Sequence, residues 1–177
     1  MSNTGFASQP EPQSQPLPAV ILKQQILKHL AVLDRIEHFH DDFVARGDIS
    51  RRTTIDAIVI ADVLTNYYTC LETVFLRISE YFENSLNSTR WHPDLLNKMT
   101  LRIEGIRPQV ISDEATPNIE ELLHFRHFCR YYLEFDYDWD RLDFVLKKFA
   151  RARPLVRRDL AAFLAFLDQL AESIPEQ

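Results

Sequence analysis

The chain has 177 residues, of which 46% are hydrophobic and 3 are glycine, and it carries a net charge of -6. That is enough for one domain with a proper core, and it excludes a disordered chain. The acidic balance excludes long-range attraction of nucleic acid by bulk charge, so any such site must be a local basic cleft.

Residues 1–18 are rich in Pro, Gln and Ser and lack the apolar pattern that would offset the entropy of ordering. They are expected to form a disordered tail before a helical domain over 19–174. A first helix is predicted from Ala19 to Arg46, with apolar positions at Val20, Ile21, Ile26, Leu27, Leu30, Leu33, Ile36 and Phe43 and a stop at Gly47. A second runs from Arg51 to about Asn84. Its inner stripe is drawn through Ile55, Ile58, Val59, Asp62, Val63, Asn66, Cys70, Thr73, Val74, Arg77 and Ile78. On that stripe Asp62 and Asn66 are either satisfied core groups or members of a site.

"NSLNSTRWH" is a loop, and Pro93 suits the first turn of a short helix to Met99. "RIEGIRPQVISDEATP" is irregular. Thr116 is expected to cap a helix that has Pro117 at its first position and ends near Leu133. Asp138 then caps the last helix, which Pro154 should kink or divide. The fold class is all-α: an antiparallel bundle with two long helices and additional shorter ones.

Asp136, Asp138 and Asp140 are spaced like the start of a calcium loop, but Arg141 and Lys147 stand where that loop needs Gly and Glu. A turn and a helix cap explain the three acids. His38 and His40 are two apart and point to different sides of a helix, which suits a solvated face rather than a metal. No cofactor or metal is expected. Cys70 and Cys129 lie in apolar helical stretches and read as buried free thiols. There is no signal peptide and no apolar run long enough to span a membrane, so a cytoplasmic protein is expected and the sequon Asn87-Ser88-Thr89 is read as idle.

The segment "LLHFRHFCRYYLEFDYDW", Leu122 to Trp139, poses the main question. A helix advances about 100° per residue, so Ile119, Leu122, Leu123, Arg126, Arg130 and Leu133 share one stripe. Phe125, Phe128 and Tyr132 form a second, and His124, His127 and Tyr131 lie between. Two arginines on an apolar stripe must pair with a core acid such as Asp62 or Glu72, snorkel to water, or face a wet cleft that receives an anion.

The segments "YTCLETVFLRISEYF", "WHPDLLNKM", "IEGIRPQVIS", "ELLHFRHFCRYYLEFDYDWDRL" and "RRDLAAFLAFL" together resemble the HepT-like branch of the HEPN family. The resemblance extends over about Ala19 to Leu170. It implies a helical bundle that forms a two-fold homodimer, and a ribonuclease toxin encoded beside a minimal nucleotidyltransferase antitoxin of the MntA type. That partner attaches AMP to a tyrosine. The family's active motif is an Arg followed after four to six residues by His, with Tyr two positions further on. Phe125, Arg126, His127 and Arg130 match this branch; Tyr131 stands where the family His would be, and Leu133 where the modified Tyr would be.

The resemblance therefore implies Arg126, His127, Arg130 and Tyr131 as site residues. The arginines would hold phosphate, and His127 would supply the acid–base chemistry that metal-free RNA cleavage needs. Tyrosine ionises far above neutrality and makes a poor base. Two functions follow: an endoribonuclease toxin, or a non-catalytic HEPN module that binds the nucleotidyltransferase, RNA or a nucleotide without cutting. His92 of "WHPDLL" is read as structural.

Overall fold

A computed structural model describes residues 18–47, 52–83, 91–132 and 134–173, with the side chains of 91–94 excepted. Five helices are present among the described residues: α1 (Pro18–Arg46), α2 (Thr54–Glu83), α3 (Trp91–Thr100), α4 (Thr116–Tyr131) and α5 (Trp139–Glu172). The tail expected before α1, the sequon, Leu133 and the side chain of His92 lie outside what is described.

Local chemistry sets the helix ends. Gly47 N donates to the Phe43 carbonyl at 3.0 Å and closes α1. Thr53 and Asp56 form a reciprocal cap at the start of α2: Thr53 N and Oγ1 donate to Asp56 Oδ2 at 2.9 and 2.7 Å, and Asp56 N donates to Thr53 Oγ1 at 3.2 Å. Asp138 caps α5 as expected, accepting from Asp140 N at 2.9 Å. Thr116 does not cap α4. It lies inside the helix and donates to the Ser112 carbonyl, while Ala115 holds the cap position with no side-chain bond. Asp159 of α5 reaches across instead, accepting from Ser112 N and Oγ at 2.9 and 2.7 Å.

Named contacts give the directions of packing. On α1 and α5, Asp34 pairs with Arg157 and Asp41 with Arg153, so these helices run antiparallel. On α2 and α5, Tyr67 meets Phe149 and Phe82 meets Phe163, so these run parallel. α4 runs against both: Arg126 pairs with Glu72 of α2, and Ser112 and Phe128 meet Asp159 and Arg141 of α5. The all-α bundle is as expected, with α2 in its middle.

That central position corrects the stripe drawn along α2. Its core residues include Ala57, Ile60, Ala61, Leu64, Tyr67, Tyr68, Leu71, Val74, Phe75 and Ile78. Of the residues on the expected stripe, Val63, Cys70, Val74 and Ile78 are buried, whereas Ile55 is 72% exposed and Asp62, Asn66 and Arg77 are also exposed. A helix packed on several sides has no single apolar face, and a stripe fitted to it runs off one edge.

α5 is 34 residues long and continuous through Pro154, so the helix is not divided and the bundle has three long helices, not two. Pro154 and Ala150, four residues before it, are both exposed, so water can satisfy the carbonyl that loses its partner.

Two polar clusters join the helices. Glu37 is 4% exposed and accepts from Arg157 Nη2 at 2.8 Å while Arg153 Nε lies 3.0 Å away. Arg153 also holds Asp41 bidentately, both bonds at 2.8 Å. Arg107 is 3% exposed and donates to Glu83 Oε1 at 2.6 Å and to the carbonyls of Lys98 and Leu101, each at 2.9 Å. One guanidinium thus ties the end of α2 to the last turn of α3.

Candidate functional site

α4 carries the four expected site residues, and its packing separates them. The helix buries Ile119, Leu122, Leu123 and Phe125 against the core. Arg126 follows on the side towards α2, where it is largely covered, with its side chain 15% exposed. His127, Arg130 and Tyr131 lie on the outer side with His124, and Tyr131 is 71% exposed.

Arg126 is held from three directions. Its Nη2 lies 2.7 Å from Glu72 Oε2, its Nε donates to Thr69 Oγ1 at 3.1 Å, and its guanidinium carbon lies 5.9 Å from the centre of the Tyr68 ring. Thr69 Oγ1 in turn donates to the Thr65 carbonyl, which orients the lone pair that Arg126 uses. Nη1 is buried without a hydrogen-bond partner among the described residues. Of the two acids considered from the sequence, Glu72 is the partner. Asp62 is exposed and accepts from Asn66 Nδ2 at 2.8 Å instead.

The outer group is looser. The His127 and Tyr131 rings approach edge to face with centroids 5.9 Å apart, one turn along the helix. The Arg130 guanidinium carbon lies 5.9 Å from the Tyr131 ring centre. Imidazole, guanidinium and phenol are thus side by side on one helix face. Such a set can donate several hydrogen bonds and exchange a proton, and it is suited to an anion such as phosphate.

Tyr132, the neighbour of Tyr131, points elsewhere as its position predicts. It stacks on Phe128 with centroids 4.6 Å apart, and its hydroxyl donates to the Asp136 carbonyl at 2.8 Å. Arg141 lies over the Phe128 ring at 3.7 Å. This packing closes the end of α4. Cys129, half-buried between the two faces, has its thiol pushed up by burial, with the neighbouring Thr65 and Tyr137 hydroxyls opposing that rise. Burial likewise holds the Tyr68 hydroxyl well above the usual phenol range, and the Glu72 charge adds to the effect.

Thr69 was not singled out from the sequence. The antiparallel pairing of α2 and α4 would have been needed to find it. His40 was read as part of a solvated face, but it packs edge to face on Phe149 with centroids 5.1 Å apart.

No helix among the described residues is long and apolar enough to cross a membrane. No curated protein and no solved structure matches the chain. The HepT-like protein family does match, over residues 59–167. That match starts within α2, takes in all of α3 and α4 with the site on them, and ends near the last turns of α5. It covers well over half of the 177 residues, and the chain belongs to the HepT-like family.

Proposed function

We propose that this HepT-like protein is the toxin component of a toxin–antitoxin pair, a metal-independent endoribonuclease that acts as a homodimer and is restrained by an MntA-like nucleotidyltransferase. The observation that carries the reading is the grouping of His127, Arg130 and Tyr131 on the exposed face of α4, one turn from a firmly held Arg126. A two-fold axis through this face would bring two copies of the group together and enclose them.

In the proposed reaction a ribose 2′-oxygen attacks the adjacent phosphorus and the bond to the 5′-oxygen breaks, leaving a 2′,3′-cyclic phosphate. His127 takes the proton from the 2′-hydroxyl. Tyr131 gives a proton to the leaving 5′-oxygen, and the proton on His127 then passes to Tyr131 to restore both groups. Arg130 offsets the charge that develops on phosphate. Arg126, held by Glu72 and Thr69, fixes the helix face.

The Arg126–Glu72 pair also favours a second reading. A carboxylate 2.7 Å away already offsets the charge of that arginine, which suits a non-catalytic module that binds RNA, a nucleotide or the nucleotidyltransferase without cutting. Incubation of the purified protein with RNA separates the two. Under the first reading H127A lowers cleavage by roughly 10²–10⁴-fold, and R130A by about 10²–10³-fold. Cleavage that survives both substitutions sinks the catalytic assignment. RNA that is bound but left intact by the unaltered protein moves the conclusion to the second reading. A solution mass equal to one chain removes the composite site.

A further inference from the structure

We propose that the groove between α1 and α2 is a base-reading subsite that selects guanine in single-stranded RNA. The inference rests on the RNA reading above and names the base that it would recognise. The groove encloses about 320 Å³. Val32, Ile36 and Val63 give it an apolar floor. Arg35 and Phe39 of α1 stand on one rim, and Asp62 and Asn66 of α2 on the other.

Each rim residue offers what a base needs. Phe39 is 55% exposed and presents an aromatic surface for stacking. Arg35 is exposed and makes no ion pair among the described residues, so its guanidinium is available to a phosphate. Asn66 Nδ2 donates to Asp62 Oδ2 at 2.8 Å. A carboxylate cannot donate, so this bond fixes which end of the amide faces Asp62. Asp62 keeps acceptor capacity beyond that one bond, and the second amide hydrogen of Asn66 stays available.

This pair is an acceptor beside a donor, and that pattern selects among bases. Guanine alone presents a ring N–H next to an exocyclic amine, two parallel donors that one carboxylate can accept, with the O6 acceptor beside them. Adenine and cytosine place a ring acceptor next to their amine, and uracil flanks its ring N–H with two carbonyls. Each of these would set a lone pair against Asp62. Single-stranded RNA exposes these edges, whereas a duplex hides them.

The groove also lies beside the α4 site. Thr65 and Thr69 of α2 contact Cys129 and Arg126 of α4, and Asn66 is next to Thr65 in the chain. From Asp62 to Thr69 the helix rises only about 10 Å. A strand crossing α2 can therefore place a base in the groove and a neighbouring phosphate near Arg130.

The test uses fluorescence polarisation of the full chain with three uridine nonamers that differ at the centre: guanosine, inosine or uridine. Inosine keeps the ring N–H and loses the exocyclic amine. The guanosine oligomer should bind roughly tenfold tighter than all-uridine, the scale of one bidentate base contact, with inosine between them. D62N should bring the guanosine and uridine oligomers to equal affinity, with helicity by circular dichroism confirming that it folds. R130A should weaken all three while the guanosine-to-uridine ratio persists. Equal binding of all three by the unaltered protein overturns the subsite and leaves RNA binding standing. If no oligomer binds, the RNA reading fails, and titration with GMP and AMP then judges the groove alone. Amide shifts at Phe39 and Asn66 with GMP only would uphold it; none, or equal shifts with both, would overturn it.

Discussion

Arg107 and Arg126 are both largely covered, and their surroundings assign them different work. Arg107 spends its guanidinium on Glu83 and on carbonyls at the end of α3. Removing it takes away all of these bonds, although Glu83 keeps Lys98 at 3.6 Å and the Ser79 hydroxyl at 3.2 Å. R107A should cost about 1.5–3 kcal/mol in urea unfolding, the scale of lost hydrogen bonds to a charged group. Among the described residues Arg126 bonds to α2 alone, through Glu72 and Thr69, so its loss falls on one contact between helices. The sequence made the second arginine legible and not the first. Arg126 interrupts a leucine stripe, which makes it conspicuous, and Glu72 was among its candidate partners. Arg107 sits in "GIRP", an irregular stretch with no period to break, and its burial comes entirely from the way the segment folds onto α2 and α3.

At the scale of elements, the helices whose ends carry their own signals were read well. Asp138 both names and caps the start of α5, and D138A should lower stability by about 1 kcal/mol in thermal unfolding. Pro154 was expected to kink or divide the helix because the sequence does not reveal which side of a helix faces water. In α5 it faces outward, and the missing bond falls where solvent replaces it. P154A should therefore raise stability by about 1–2 kcal/mol, part of the usual proline penalty, since the backbone there is already helical. A loss of stability instead would mean that the proline shapes α5 in a way its exposure does not indicate. The α2 stripe failed for the opposite reason. Apolar residues surround that helix, and only knowledge of its four neighbours tells Ile60 and Leu64 from Ile55 and Asp62.

For the whole molecule, ionisable groups set two limits on stability. Asp41 is held well below the usual carboxylate range by its hydrogen bonds with Arg153. Its contribution is fully present above the unfolded value of about 3.9 and is lost progressively as pH falls below that value and through the lower folded one. On the alkaline side, burial and then the Glu37 charge push the Tyr67 hydroxyl up, burial does the same for Tyr68, and Cys70 is pushed up to about 11. These groups stay protonated in the fold while their unfolded counterparts ionise, so stability falls as pH rises above about 9. Melting temperature against pH should show both limbs. Y67F should flatten the alkaline limb at little cost near neutrality, because the Tyr67 hydroxyl is buried without a hydrogen-bond partner among the described residues.

The ion pairs between α1 and α5 also bear on the order of folding. Arg153–Asp41, Arg157–Glu37 and Lys23–Asp168 join residues 112, 120 and 145 positions apart in the chain. Such contacts gain nothing until nearly the whole chain has been gathered, and the loop they close is entropically costly early on. α1 should then settle last, onto a nucleus formed by its successors. E37Q would accordingly speed unfolding and leave the refolding rate nearly unchanged in stopped-flow measurements. α1, made before the other four helices, would be the last of them to find its place.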